Sequence, residues 1–177
     1  MIFKNFLNIK NNKLIKKDFL NLLKNQPPLF KTLKSTYKYS YSKKSISKYK
    51  KFSNIRIIGM GGSILGTEAI YDFLKKKIKK KLTFVNNLNS NAEYFQDKNI
   101  NLNLIISKSG NTLETIANAN TLIKNRDTNI IITENKDNYL TNLASKLKAE
   151  IFEHKNYVGG RYSVLSEVGM LPAELMN

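Results

Sequence analysis

The sequence contains no cysteine, no tryptophan and one histidine, His154. Without cysteine there is no disulfide framework, no thiolate nucleophile and no cysteine-ligated zinc or iron–sulfur centre. A single imidazole excludes any site that needs two of them from this chain. These two absences remove cysteine-ligated and multi-histidine metal sites, and no metal or cofactor is expected. Long apolar runs are also missing: nothing approaches the roughly eighteen residues needed to span a bilayer. The start, Met1-Ile2-Phe3-Lys4-Asn5, lacks the apolar core and cleavage site of a signal peptide. These absences predict a soluble cytoplasmic protein with no membrane partner. The length of 177 residues suits one domain with a three-layer core.

Acidic residues are scarce, 13 Asp/Glu against 30 Lys/Arg, for a formal charge of +17. Such a balance suggests a polyanion or RNA partner through counterion release. The composition argues against it. Only Arg56, Arg126 and Arg161 are arginine, and base readout favours the bidentate guanidinium fork over lysine. Lys, Asn and Ile are all abundant and share A/T-rich codons, so the charge follows from codon usage alone. The run Lys75 to Lys81 falls where a helix should end, and there cations complement the macrodipole and face solvent.

Residues 1–50 read as a helical or irregular lysine-rich arm, with an amphipathic helix around Phe19, Leu20, Leu22 and Leu23 stopped by Pro27-Pro28. The Tyr37 to Tyr49 stretch interleaves Tyr, Ser and Lys and reads best as low-specificity surface. From residue 51 onward the pattern changes to short β-branched runs alternating with helical periodicity. Strands are expected at Ile55–Ile58, Leu82–Val85, Leu102–Ile106, Asn129–Thr133 and Glu150–Phe152. Helices are expected through Leu65–Leu74, around Ala92–Phe95, from Leu113 to Ile123 and from Tyr139 to Leu147. This alternation predicts an α/β fold, a five-stranded parallel sheet covered on both faces in a Rossmann-like three-layer sandwich.

Ligands of open parallel sheets bind beyond the carboxyl ends of the strands, and three loops there have unusual chemistry. Gly59-Met60-Gly61-Gly62-Ser63 permits a sharp turn and close ligand approach, but it matches neither a dinucleotide fingerprint nor a P-loop. Ser107-Lys108-Ser109-Gly110-Asn111-Thr112 sets three hydroxyls and a glycine before a helix. One hydroxyl would serve as a helix cap; three with Gly110 suit a phosphate cradle. Gly159-Gly160-Arg161-Tyr162-Ser163 places an arginine between glycine and hydroxyl in a lysine-dominated chain, where guanidinium geometry would matter. His154 receives no role.

In order and spacing, the three motifs, extended to Gly66, Thr115 and Gly169, resemble the phosphoglucose isomerase family of the sugar-isomerase (SIS) fold. The resemblance covers about residues 54–177 and divides the chain into the arm and an SIS phosphosugar domain at 51–177. It implies that Ser107, Ser109 and Thr112 hold a sugar phosphate with Lys108 in the same loop, that Gly62 and Ser63 contact the sugar, and that Arg161 lies beside the reacting carbons. The implied reaction interconverts glucose 6-phosphate and fructose 6-phosphate through an enediolate, in glycolysis and gluconeogenesis, without a metal. A second SIS domain carrying the glutamate base, a histidine and a lysine follows this region in the family, and none of these has a matching position here. The partner would then be a second subunit of a homodimer or a complementary C-terminal half. Apolar surface is expected around Val164, Leu165, Val168, Met170, Leu171 and Leu175. Two other functions fit less of the pattern. A non-catalytic phosphosugar-binding SIS module has no need of Arg161, and a polyanion-binding protein would show steep multi-phosphate salt dependence.

Overall fold

The computed structural model describes residues 13–88 and 100–177. Five strands, β1 Asn54–Gly59, β2 Lys81–Val85, β3 Leu102–Ile106, β4 Thr128–Thr133 and β5 Glu150–Glu153, form one sheet in the order β2-β1-β3-β4-β5, every pair parallel. The three central strands are buried on both faces, which is why they read as Ile/Leu-rich runs, interrupted by Arg56 in β1 and Asn103 in β3. Side-chain alternation splits the core. Ile55, Ile57, Leu104, Ile106, Ile130 and Ile132 enter one layer, and Ile58, Ile105 and Ile131 the other. The first layer also takes Ile64 of α3, Gly62–Leu74, and Val168, Leu171 and Leu175 of α6, Glu167–Met176. The second is closed by Ala119 and Leu122 of α4, Leu113–Leu122, and by Leu140 and Ala144 of α5, Tyr139–Leu147. The helix expected around Ala92–Phe95 lies outside the described residues.

Near the amino ends of the strands, Arg56 is fully buried. Its guanidinium donates to Leu122 O at 3.1 Å and stands 3.9 Å from the Asp127 carboxylate, which is also bonded to Asn101 N and Asn103 Nδ2. This polar cluster is at the end of the sheet opposite the three loops.

Helix α1, Lys13–Asn25, stops before Pro27-Pro28 as expected, and its Phe19, Leu20, Leu22 and Leu23 are exposed. The Tyr/Ser/Lys stretch is not idle surface. Tyr37 OH donates to Glu167 Oε2 at 2.9 Å and Ser40 N–H to Glu167 Oε1 at 2.8 Å, while Tyr49 OH donates to Glu150 at 2.7 Å. Tyr41 packs edge-on against Phe152, and Ile46, in the short helix α2, Lys43–Ile46, enters the core together with Tyr49. The stretch is a strap across β5 and α6, held by partners more than 100 residues away in sequence. Burial, with the Glu167 hydrogen bond adding to it, pushes the Tyr37 phenol far above its ordinary value of 10. In the Lys75–Lys81 run, Lys80 is not solvated surface. Its ammonium donates to Lys50 O at 2.9 Å and Leu175 O at 2.7 Å, and burial lowers its pKa.

The apolar surface expected near the end of the chain is mostly covered. Val168, Leu171 and Leu175 are buried, and only Leu165 of that set is exposed. The cause is the close fit of α6 on α3: Thr67 Oγ1 donates to Val168 O at 3.0 Å, and two glycines admit the Val164 backbone and side chain. A Cβ on Gly169 would stand 2.1 Å from Val164 O, a backbone atom, whereas one on Gly66 would meet the Val164 side chain at 2.8 Å. Alanine is the better helix former by about 1 kcal/mol, yet Gly169→Ala should lower stability, by about 1–3 kcal/mol net. Urea unfolding measures this; a stabilised Gly169→Ala would show that α6 does not sit this close.

Candidate functional site

Parallel pairing with Gly59 opposite Ile106 and Ile106 opposite Ile132 brings the carboxyl ends of β1, β3 and β4 level. The loops leaving these ends are therefore neighbours. After β1 the chain turns through Gly61 at φ +53° and enters α3 at Gly62. A Cβ on Gly62 would lie 2.3 Å from Gly160 C and O and 2.7 Å from Arg161 N. Only glycine permits that approach, and it joins the first loop to the third. Ser163 Oγ fastens the junction, with Gly160 O at 2.7 Å and Gly62 O at 3.2 Å. Ser63 is buried in the first turn of α3.

The second loop is built around paired hydroxyls. Ser107 Oγ and Thr112 Oγ1 are 2.9 Å apart, and Ser107 Oγ also accepts from Gly110 N–H at 3.2 Å. Thr112 stands at the N-cap of α4 without making a side-chain cap bond. The capping alternative to a phosphate cradle thus loses its main contact. The first-turn N–H groups of α4 lack intrahelical acceptors and suit an anion. Just inside, Thr115 Oγ1 is buried with no hydrogen-bond partner. Ser109 is exposed and accepts from Asn111 N–H at 3.2 Å.

Asn138, which the sequence reading did not single out, sets the shape of this loop. It caps α5, and its amide donates to Thr133 Oγ1 at 3.3 Å, Glu134 O at 3.4 Å and Lys136 O at 3.0 Å. Gly110, at φ +71°, passes so close that a Cβ there would meet Asn138 Oδ1 at 2.0 Å. The available signal was the capping-box spacing of Asn138 and Thr141. Lys108 is half-buried beside Glu134.

Arg161 is exposed on a short 3-10 turn, Gly160–Tyr162. It lines a cavity of about 300 Å³ with Leu29, Phe30, Leu33, Tyr162 and Leu165. Its backbone meets Gly62, but among the described residues no hydrogen bond joins it to Ser107, Ser109 or Thr112. Another cavity, of about 540 Å³ between Phe52, Asn54 and Thr128, opens at the amino ends of the strands and is remote from all three loops.

The model of one family, phosphoglucose isomerase, matches residues 9–177. The chain belongs to the phosphoglucose isomerase family. Relatives named glucose-6-phosphate isomerase include those of Methanocaldococcus jannaschii, 39% identical over 72% of this chain and 35% of that protein, and Plasmodium falciparum, 32% identical over 71% and 27%. The chain thus spans about a quarter to a third of the length of these curated relatives. Among solved structures the fold is shared with a hypothetical protein of Thermus thermophilus, with TM-score 0.71, 20% identity, and coverage of 93% of this chain and 44% of that one. It is also shared with tagatose-6-phosphate ketose/aldose isomerase of Escherichia coli, with TM-score 0.55, 17% identity, and coverage of 91% and 45%. As a phosphoglucose isomerase family member the chain has the expected α/β sandwich, and no helix among its described residues is long and apolar enough to cross a membrane.

His154 follows β5 at the edge of the site. It is buried, its Nδ1 donates to Lys155 O at 3.2 Å, and its Nε2 has no hydrogen-bond partner. Burial pushes the imidazole below its ordinary 6.5. Lys108 acts in the same direction, while the Lys155 carbonyl, Glu167 and Glu134 oppose it. The unfolded chain therefore binds the proton more readily, so the stability linked to His154 is complete above pH 6.5 and drains away as pH falls below it. His154→Leu should flatten the pH dependence of the thermal midpoint below 6.5. An unchanged slope would place its origin in other groups.

Proposed function

We propose that the chain binds 6-phosphosugars and forms the phosphate- and sugar-binding part of a cytoplasmic glucose-6-phosphate isomerase. The observation that carries this reading is the Ser107–Thr112 hydroxyl pair at the uncapped start of α4. Two hydroxyls whose main partners are each other can both turn to a phosphate, with Ser109, Lys108 and the helix N–H groups completing the shell. Gly62 and Ser63 would face the sugar. Arg161 would place a fixed cation where the enediolate charge develops, an interaction worth most in a water-poor site. Holding the phosphate aligns C1 and C2 for proton transfer. The aldose–ketose shift moves hydrogen within one molecule and has no net redox change, so it requires no redox cofactor.

The reaction does need a base. Glu167 is buried and committed to Tyr37 and Ser40, and Glu134 is committed to two lysines. Neither is free to shuttle a proton between C1 and C2. The base is assigned to a second subunit or a complementary C-terminal segment, in line with the fraction of its relatives that the chain spans. Isothermal titration should show glucose 6-phosphate binding to the 177-residue chain and glucose failing to bind. Ser107→Ala combined with Thr112→Val should weaken binding by about tenfold or more, given about 1.5–3 kcal/mol per hydrogen bond to a charged group. A coupled assay of the chain alone should give turnover at least about a hundredfold below a complete isomerase. Full turnover by the chain alone would overturn the missing-base assignment, and unchanged binding in the double variant would move the phosphate elsewhere.

A further inference from the structure

The lysine of the second loop is tethered at both ends. Its backbone carbonyl accepts from Glu134 N–H at 3.1 Å and Thr133 Oγ1 at 3.4 Å. Its ammonium donates to Asn156 O at 2.7 Å and lies 3.6 Å from Glu134 Oε1. Glu134 is largely buried, and its other carboxylate oxygen is 2.5 Å from Lys136 Nζ. The Lys136 hydrogen bond, aided by the Lys136 and Lys108 charges, holds the Glu134 carboxyl below its ordinary range, so it is ionised at neutral pH.

We propose that Glu134 is a positioning residue that draws the Lys108 ammonium toward Asn156 and away from the hydroxyls of Ser107 and Thr112, so that an entering phosphate must compete for it. The affinity aspect rests on the phosphosugar reading; the tether itself does not. A charge already paired attracts an anion less than a bare one, so Glu134 acts as a brake on binding of any phosphate, inorganic phosphate included. The competition is graded by Lys136, which shares the same carboxylate.

Two measurements on the 177-residue chain separate the tether from its use. Without ligand, limiting acetic anhydride followed by mass spectrometry reports the acetylation rate of each lysine amine. Glu134→Gln should raise the rate at Lys108 about two- to fivefold relative to exposed Lys76, the scale of a partly exposed ion pair. Lys136→Gln, which leaves Glu134 to Lys108 alone, should lower it, and serves if Glu134→Gln does not fold. An unchanged Lys108 rate overturns the tether. With glucose 6-phosphate, Glu134→Gln should tighten binding about two- to fivefold, and the gain should vanish in a Lys108→Met background. Equal gains with and without Lys108 would make Glu134 a diffuse repulsive charge and end the positioning role. If no variant binds glucose 6-phosphate while the acetylation difference persists, the phosphosugar reading fails and the tether stands.

Discussion

The arrangement of the loops depends on one contact between two stretches of bare backbone, Gly62 against Gly160 and Arg161. The parallel register sets the strand ends level, but level strands alone leave each loop to its own conformation. The missing side chain at Gly62 lets the third loop lie directly on the start of α3, and Ser163 bonds to both sides of the junction. The packing of α6 continues the same device, because Gly66 and Gly169 let the chain around Val164 lie against both helices. The position of Arg161 is thus inherited from backbone fit, and among the described residues no hydrogen bond joins its side chain to Ser107, Ser109 or Thr112.

Charge is distributed unevenly along the strand axis. Near the amino ends the buried Arg56 cluster is closed and satisfied, with its donors directed to Leu122 O, Asn103 and Asp127. At the carboxyl ends the pairing is less complete: Ser107 and Thr112 bond to each other, while Thr115 Oγ1 and His154 Nε2 are buried without a hydrogen-bond partner. Buried polar groups with incomplete partners cost stability, and here they collect at the strand ends from which the three loops leave. The +17 charge has little bearing on this division, because the cations that matter number few and most lysines face solvent.

The sheet was legible because a strand buried on both faces must be apolar at nearly every position, which Leu104–Ile106 and Ile130–Ile132 satisfy without interruption. Loop chemistry was legible for a related reason: Gly110 at positive φ and the hydroxyl cluster of Ser107, Ser109 and Thr112 leave local compositional marks. Partners distant in sequence leave none. Tyr37, Ser40 and Tyr49 read as surface because Glu167 and Glu150 are more than 100 residues away. Burial of Leu171 and Leu175 was missed for the same reason, since the glycines that admit Val164 declare no neighbour in sequence. Asn138 was half legible: its capping role has a local signature, while its contact with Gly110 crosses from one loop to another.

The strap also has a temporal meaning. Tyr37 and Ser40 leave the ribosome long before Glu167, the residue that receives both their hydrogen bonds. Until α6 exists, Tyr37 and Ser40 lack their acceptor, and the core layer the strap helps to cover lacks Val168, Leu171 and Leu175. Contacts of such sequence separation form late and slowly. A strap made more than 100 residues before its acceptor is therefore among the last parts to settle, and until α6 is made the face of the sheet that carries α3 is only partly covered.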